Sequence, residues 1–174
     1  MSSTINFKTL TLQDALDLAI LIEEEACERY VDFAKHVGSR YEGDAGDFFI
    51  KMSENEAKHK AQLLVLRKSM FGTAPTRMNS SMVWDVEAPD QGKPRTYMST
   101  RQALRVAMEG EVKAYDFFND ALKVVTSEEI KDLFGHLREE EGEHKAALEK
   151  MLKALPPGEG ADLGDDDIDE PSSL

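Results

Sequence analysis

Residues 47–63, DFFIKMSENEAKHKAQL, and residues 132–148, DLFGHLREEEGEHKAAL, are two versions of one segment. A second pair repeats in the same order: ALDLAILIEEEACERYVDF at 15–33 and ALRVAMEGEVKAYDFFNDA at 103–121. Two segments used twice in register describe one helical hairpin duplicated, since a solenoid needs at least three copies to bury its repeats. Each copy must therefore satisfy the same packing, and each carries the same acid-rich phrase ending in histidine, ENEAKH or EEEGEH.

Helical periodicity covers four stretches: 12–37, 45–71, about 99–125, and from about 126 to the Pro156-Pro157 pair. Thr11 with Asp14 resembles a capping arrangement for the first, and Gly38 can close it. Gly72 stops the second, Ser99 with Gln102 forms a capping box for the third, and Thr126 with Glu129 is expected to cap the fourth. The loops within each pair are short, so each pair folds as an antiparallel hairpin. The stretch from Gly72 to Met98 is too long for a turn between neighbours and can cross the length of a bundle. The expected fold is all-α: an antiparallel four-helix bundle over residues 1–156, made of two repeated hairpins joined by a long crossover. Residues 157–174 are small, acidic and nearly free of large apolar groups, and are expected to form a disordered tail.

Seven of the acids behind the net charge of −13 lie past Pro157 with no basic residue among them. The remaining body is still acidic, so nothing neutralises phosphates in quantity, and nucleic acid and anionic membrane surfaces are excluded as partners. The single cysteine, Cys27, excludes a disulfide framework and any Cys-x-x-Cys knuckle, and is read as a small buried residue. Apolar runs such as AILI fall far short of a membrane span, and MSSTINFKTL lacks the pattern of a signal peptide, so a cytoplasmic protein is expected.

Helix position decides which glutamates face inward. Steps of three and four pick out Phe134, Leu137, Glu141, His144, Leu148, Met151 and Leu155 in the fourth helix, and Phe49, Met52, Glu56, His59, Leu63, Leu66 and Met70 in the second. The first gives Leu16, Ala19, Glu23, Ala26, Tyr30, Phe33 and Val37; the third gives Leu104, Ala107, Glu111, Ala114, Phe118, Ala121 and Val125. Every apolar face thus carries one glutamate at its middle, and two faces add a histidine. Glu54, Glu109, Glu139, Glu140 and Glu143 fall off these faces and read as solvated surface.

A lone glutamate on such a face is usually the partner of a buried arginine, and a lone histidine is usually a satisfied core residue. Two Glu-x-x-His matches in register with two further matched glutamates point elsewhere. Four carboxylates gathered in one core would repel and lose hydration, each at a cost of several kcal/mol. Two divalent cations would balance their charge, and two imidazoles would complete the donor set. Mixed carboxylate and imidazole ligation suits iron or manganese.

The set Glu23, Glu56-x-x-His59, Glu111, Glu141-x-x-His144 resembles the ligand arrangement of ferritin-like carboxylate-bridged di-iron proteins. Within them the chain is similar to the rubrerythrin type over about residues 10–155, through Glu23 with Tyr30, ENEAKH in the second helix, and EGE followed by Tyr115 in the third. The resemblance implies a ferritin-like bundle holding two Fe ions (or Mn), with Glu56 and Glu141 bridging and Glu23 and Glu111 terminal. The ferrous site would react with O2 or H2O2, as a ferroxidase or peroxidase, drawing on an external electron donor. Tyr30 and Tyr115 would hydrogen-bond ligand carboxylates. It also implies a homodimer.

Two departures stand out. The four cysteines of a rubredoxin module are missing from these residues, and Ala114 occupies the position of a further glutamate tied to the rubrerythrin peroxidase cycle. Competing expectations are a di-iron hydroxylase of an organic substrate, an iron-storage cargo docked in a shell protein through the acidic C-terminal tail, and a metal-stabilised helical adaptor.

Overall fold

The computed structural model describes residues 5–83, 86 and 98–156. Four helices dominate: α1 (Leu12–Val37), α2 (Ala45–Phe71), α3 (Thr100–Leu122) and α4 (Glu128–Ala154), with short 3-10 turns at Phe7–Thr9 and Ser80–Met82. α1 packs along α2 and α3 along α4, giving two hairpins, with sparser contacts joining α2 to α3 and α1 to α4. The molecule is an all-α four-helix protein of the expected ferritin-like type. Part of the crossover and all of the acidic segment 157–174 lie outside the described residues.

The caps explain the helix limits. Thr11 accepts from the Asp14 backbone N–H, and the Asp14 carboxylate accepts from Thr11 N at 3.0 Å, so aspartate serves where glutamate is usual. Gly38 and Gly72, both at positive φ, end α1 and α2. Ser99 and Gln102 form the capping box of α3. The cap of α4 differs from expectation: it is Ser127, not Thr126, with the Ser127 side chain accepting from Ile130 N at 3.4 Å and its hydroxyl donating to Glu129 at 2.6 Å. Also, α3 ends at Leu122, because Lys123 turns its N–H back onto Asp120 and Ala121, although Val125 beyond it remains buried.

All seven core positions expected on α1 and on α3 are buried. On α2 and α4 the expected stripe runs off the core at its C-terminal end: Leu66, Met70 and Met151 are 42%, 49% and 46% exposed. A helix turns every 3.6 residues, so a stripe written with a seven-residue repeat drifts about 20° per heptad. After Leu63 the buried face of α2 continues at Arg67, four residues on. The Arg67 guanidinium holds buried Asp17 of α1 through Nε at 2.8 Å and Nη2 at 3.3 Å, and donates to the carbonyls of Gly72 and Ala74. Both ends of this pair were unforeseen from the sequence.

The core is divided. One apolar cluster gathers Leu16, Leu18, Ile22, Leu63, Phe118, Ile130, Phe134 and Leu137. The other gathers Tyr30, Phe33, Phe49, Met52, Leu104, Ala107 and Leu148. Each cluster takes residues from all four helices. In every helix the gap between the two falls on the mid-face glutamate: Glu23, Glu56, Glu111 or Glu141.

The hairpin turn between α1 and α2 presses on the first turn of α2. A Cβ on Gly46 would lie 2.5 Å from Gly38 O and 2.7 Å from Ser39 N, both backbone atoms, whereas a Cβ on Gly135 of α4 would meet nothing within 4 Å. Gly46→Ala is expected to destabilise the protein by about 1–3 kcal/mol through this overlap. Gly135→Ala should stabilise it by about 0.5–1 kcal/mol through reduced backbone entropy in the unfolded chain. Urea denaturation of the two variants, followed by helical circular dichroism, checks the opposite signs.

Candidate metal centre

Glu23, Glu56, Glu111 and Glu141 are at most 2% exposed, whereas the off-face acids Glu54, Glu139 and Glu143 are exposed. The structure brings all four buried carboxylates to the layer between the apolar clusters, with His59 and His144 beside them. His59 Nδ1 lies 3.6 Å from Glu23 Oε2 and 3.5 Å from Glu56 Oε2. His144 Nδ1 lies 3.1 Å from Glu111 Oε2 and 3.5 Å from Glu141 Oε2. The two imidazoles stack across the bundle, with centroids 4.9 Å apart and planes 4° from parallel. The result is two groups, Glu23–Glu56–His59 and Glu111–Glu141–His144, each with its donor atoms within 4.8 Å of one another.

The carboxylates are not satisfied by the protein. Glu23 Oε2, both oxygens of Glu56, Glu111 Oε1 and Glu141 Oε2 are buried without a hydrogen-bond partner among the described residues. Leaving buried acceptors unmade costs about 1–3 kcal/mol each, and more for charged groups. Five orphaned oxygens with two imidazole nitrogens form the donor set of a pair of hard-to-borderline cations, and two such groups fit a dinuclear metal site.

The protonation of the metal-free layer follows from the same geometry. Burial raises the Glu23 carboxyl to about 8, against the pull of His59 and with the repulsion of Glu56 and Glu141 added. Burial likewise holds Glu111 well above the ordinary carboxylate range. The facing carboxylates of Glu23 and Glu56 raise His59 to about 10. At His144 burial opposes the charge, but Glu111 and Glu141 outweigh it and raise the ring to about 11.

Tyr30 is fully buried in the second cluster, its ring stacked on Phe49 at 6.0 Å. Tyr115 is half-buried and leans on α4, where Lys145 Nζ lies 5.3 Å from its ring centre and a Cβ on Gly142 would meet it at 3.8 Å. Cys27 is half-buried, its thiol donating to Ser53 O at 3.3 Å, and burial pushes that thiol up from its usual pKa. Ala26 and Ala114, the small residues one turn beyond Glu23 and Glu111, are fully buried.

Residues 14–152 match the family described as Rubrerythrin. The chain belongs to the rubrerythrin family. Among solved structures, an uncharacterized conserved protein from Magnetospirillum magnetotacticum MS-1 is similar, at 27% identity and TM-score 0.65, over 84% of this rubrerythrin-family chain and 97% of that one. A hypothetical protein from Pyrococcus furiosus shares the fold at 23% identity and TM-score 0.54, over 83% and 89% of the two chains. No curated protein matches the sequence. Among the described residues, no helix of this rubrerythrin-family member is long and apolar enough to cross a membrane.

The raised values give a pH dependence with a definite sign. The metal-free fold holds protons on His59 and His144 that the unfolded chain loses above about 6.5. Its stability is therefore expected to fall as pH rises from about 6.5 through about 10. Glu23, raised from 4.5 to about 8, pushes in the same direction from lower pH. Metal ligation requires neutral imidazoles and ionised carboxylates, so divalent-metal affinity should instead rise over this range, with proton release on binding. Thermal melts of chelator-treated protein and calorimetric titrations in buffers of different ionisation enthalpy check the two trends.

Proposed function

We propose that this chain is a di-iron oxidoreductase that consumes O2 or H2O2 with electrons from an external donor. The observation that carries the reading is the buried layer of four glutamates with five unpartnered oxygens, faced by two imidazoles in two matching groups. Membership of the rubrerythrin family supports iron as the metal, with manganese as the competing ion. In this reading Glu56 and Glu141 would serve both ions, Glu23 and His59 would hold one, and Glu111 and His144 would hold the other.

Ferrous ions held by these residues would supply the two electrons that, with two protons, convert H2O2 into two waters. The protein's own contribution is positional and electrostatic. Once ionised, the four carboxylates carry −4, which two divalent cations would balance. The apolar clusters above and below keep bulk water from the carboxylates and strengthen their hold on a cation. His59 and His144 give up their protons at Nδ1, the atom that faces the glutamates in each group.

Protein loaded anaerobically with ferrous iron is expected to hold two irons per chain and to develop near-ultraviolet absorption when given oxidant. Glu56→Ala and His144→Ala should lose most of the metal, while Glu143→Ala, on the exposed side of α4, should keep both irons. Retention of two irons by Glu56→Ala would defeat the assignment. Loading with manganese in parallel, with oxidant consumption as the readout, distinguishes the two metals.

A further inference from the structure

The layer is sealed unevenly. The carboxylates of Glu23 and Glu111, carried by α1 and α3, are 3% and 0% exposed, and Ala26 and Ala114 beside them are fully buried. The side chains of His59 and His144, carried by α2 and α4, are 20% and 24% exposed. The centre therefore meets solvent along the α2–α4 side. A cleft of about 160 Å³ lies on that side and reaches Glu56 and His144. Its inner walls are the buried carbon surfaces of Phe48, Met52 and Leu148, and exposed Lys51, Asn55, Met151 and Ala147 line it as well, Ala147 one turn beyond His144. The other described cavities are lined by none of the six ligand candidates.

We propose that this cleft is the path by which a small uncharged oxidant reaches the metal pair, and that Ala147 sets its width. The inference rests on the di-iron reading above and adds to it a direction of approach and a size limit. Apolar walls favour a neutral molecule, because a charged one would shed hydration without a partner. The cleft's volume is close to that of an apolar cavity of about 150 Å³ that holds benzene. O2 and H2O2 fit within it whole, whereas a multi-ring organic substrate would stand partly outside. Ala147 is a small lining residue where width can be changed without replacing a ligand, since its side chain is exposed and apart from both apolar clusters.

The test compares Ala147→Trp with Ala146→Trp, an exposed neighbour outside the cleft lining, and with the milder Ala147→Val. All three are loaded with ferrous iron and carried forward at measured iron content. Nitric oxide, a neutral diatomic of dioxygen's size, is then mixed with the ferrous protein and its binding followed by absorption. Ala147→Trp should retain two irons yet bind nitric oxide and consume H2O2 about tenfold more slowly, within the one to three decades over which association rates vary among variants of one site. Ala147→Val should slow both less, and Ala146→Trp should match the unaltered protein. The unaltered protein should also consume H2O2 in preference to cumene hydroperoxide, whose ring fills the cleft. Unchanged nitric oxide binding in an iron-replete Ala147→Trp, or equal slowing by Ala146→Trp, overturns the proposal. Neither result bears on the ligand assignment, which stands or falls on iron content in Glu56→Ala.

Discussion

Four carboxylates share one buried layer, and the rest of the molecule is arranged around that repulsion. Glu23, Glu56, Glu111 and Glu141 are withdrawn from water, and most of their oxygens lack a protein partner. No packing term pays for such a layer on its own. The protein instead supports it with two imidazoles at Nδ1 and with apolar clusters on either side, each drawn from all four helices. Without cations, protons on the imidazoles offset the carboxylates, whose charge raises His59 to about 10 and His144 to about 11. A divalent pair held there would do the same with a higher charge.

The halves are related but not equal. His144 approaches Glu111 at 3.1 Å, whereas His59 stands 3.6 Å from Glu23, so the second group is drawn tighter. Arg67 on α2 clamps Asp17 on α1, while the repeat places Leu152 and Arg105 at the matching positions of the other half. The duplicated hairpin thus preserved the central layer and let the ends diverge. Ion pairing closes one end of the bundle, and apolar Leu152 packs partly buried at the other.

Much of this architecture was legible in the sequence because it rests on local rules. Gly38 and Gly72 end α1 and α2 where the chain must turn at positive φ, and Ser99 with Gln102 starts α3. The inward stripes of α1 and α3 hold over seven positions, and the six ligand candidates fall together because the repeat marks them twice. What escaped depended on tertiary geometry. The drift of α2 past Leu63 put Arg67 inside and Met70 outside, and Asp17 on α1 together with the carbonyls of Gly72 and Ala74 makes that tolerable. The choice of Ser127 over Thr126 turned on where the last turn of α3 ended. The uneven exposure of the layer had no sequence signal, since Glu23 and His59, or Glu111 and His144, lie on the inward stripes alike and differ only in the assembled bundle.

The divided core changes how the molecule comes apart. Neither apolar cluster belongs to a single hairpin, so neither is a separate unit, and among the described residues the layer between them holds the four glutamates and two histidines with small Ala26 and Ala114. Cations held in the layer would couple the two clusters, and the melting midpoint would then follow free metal by mass action. Without them the layer between the clusters would open ahead of the helix ends. A chelator would then act as a denaturant aimed at the waist.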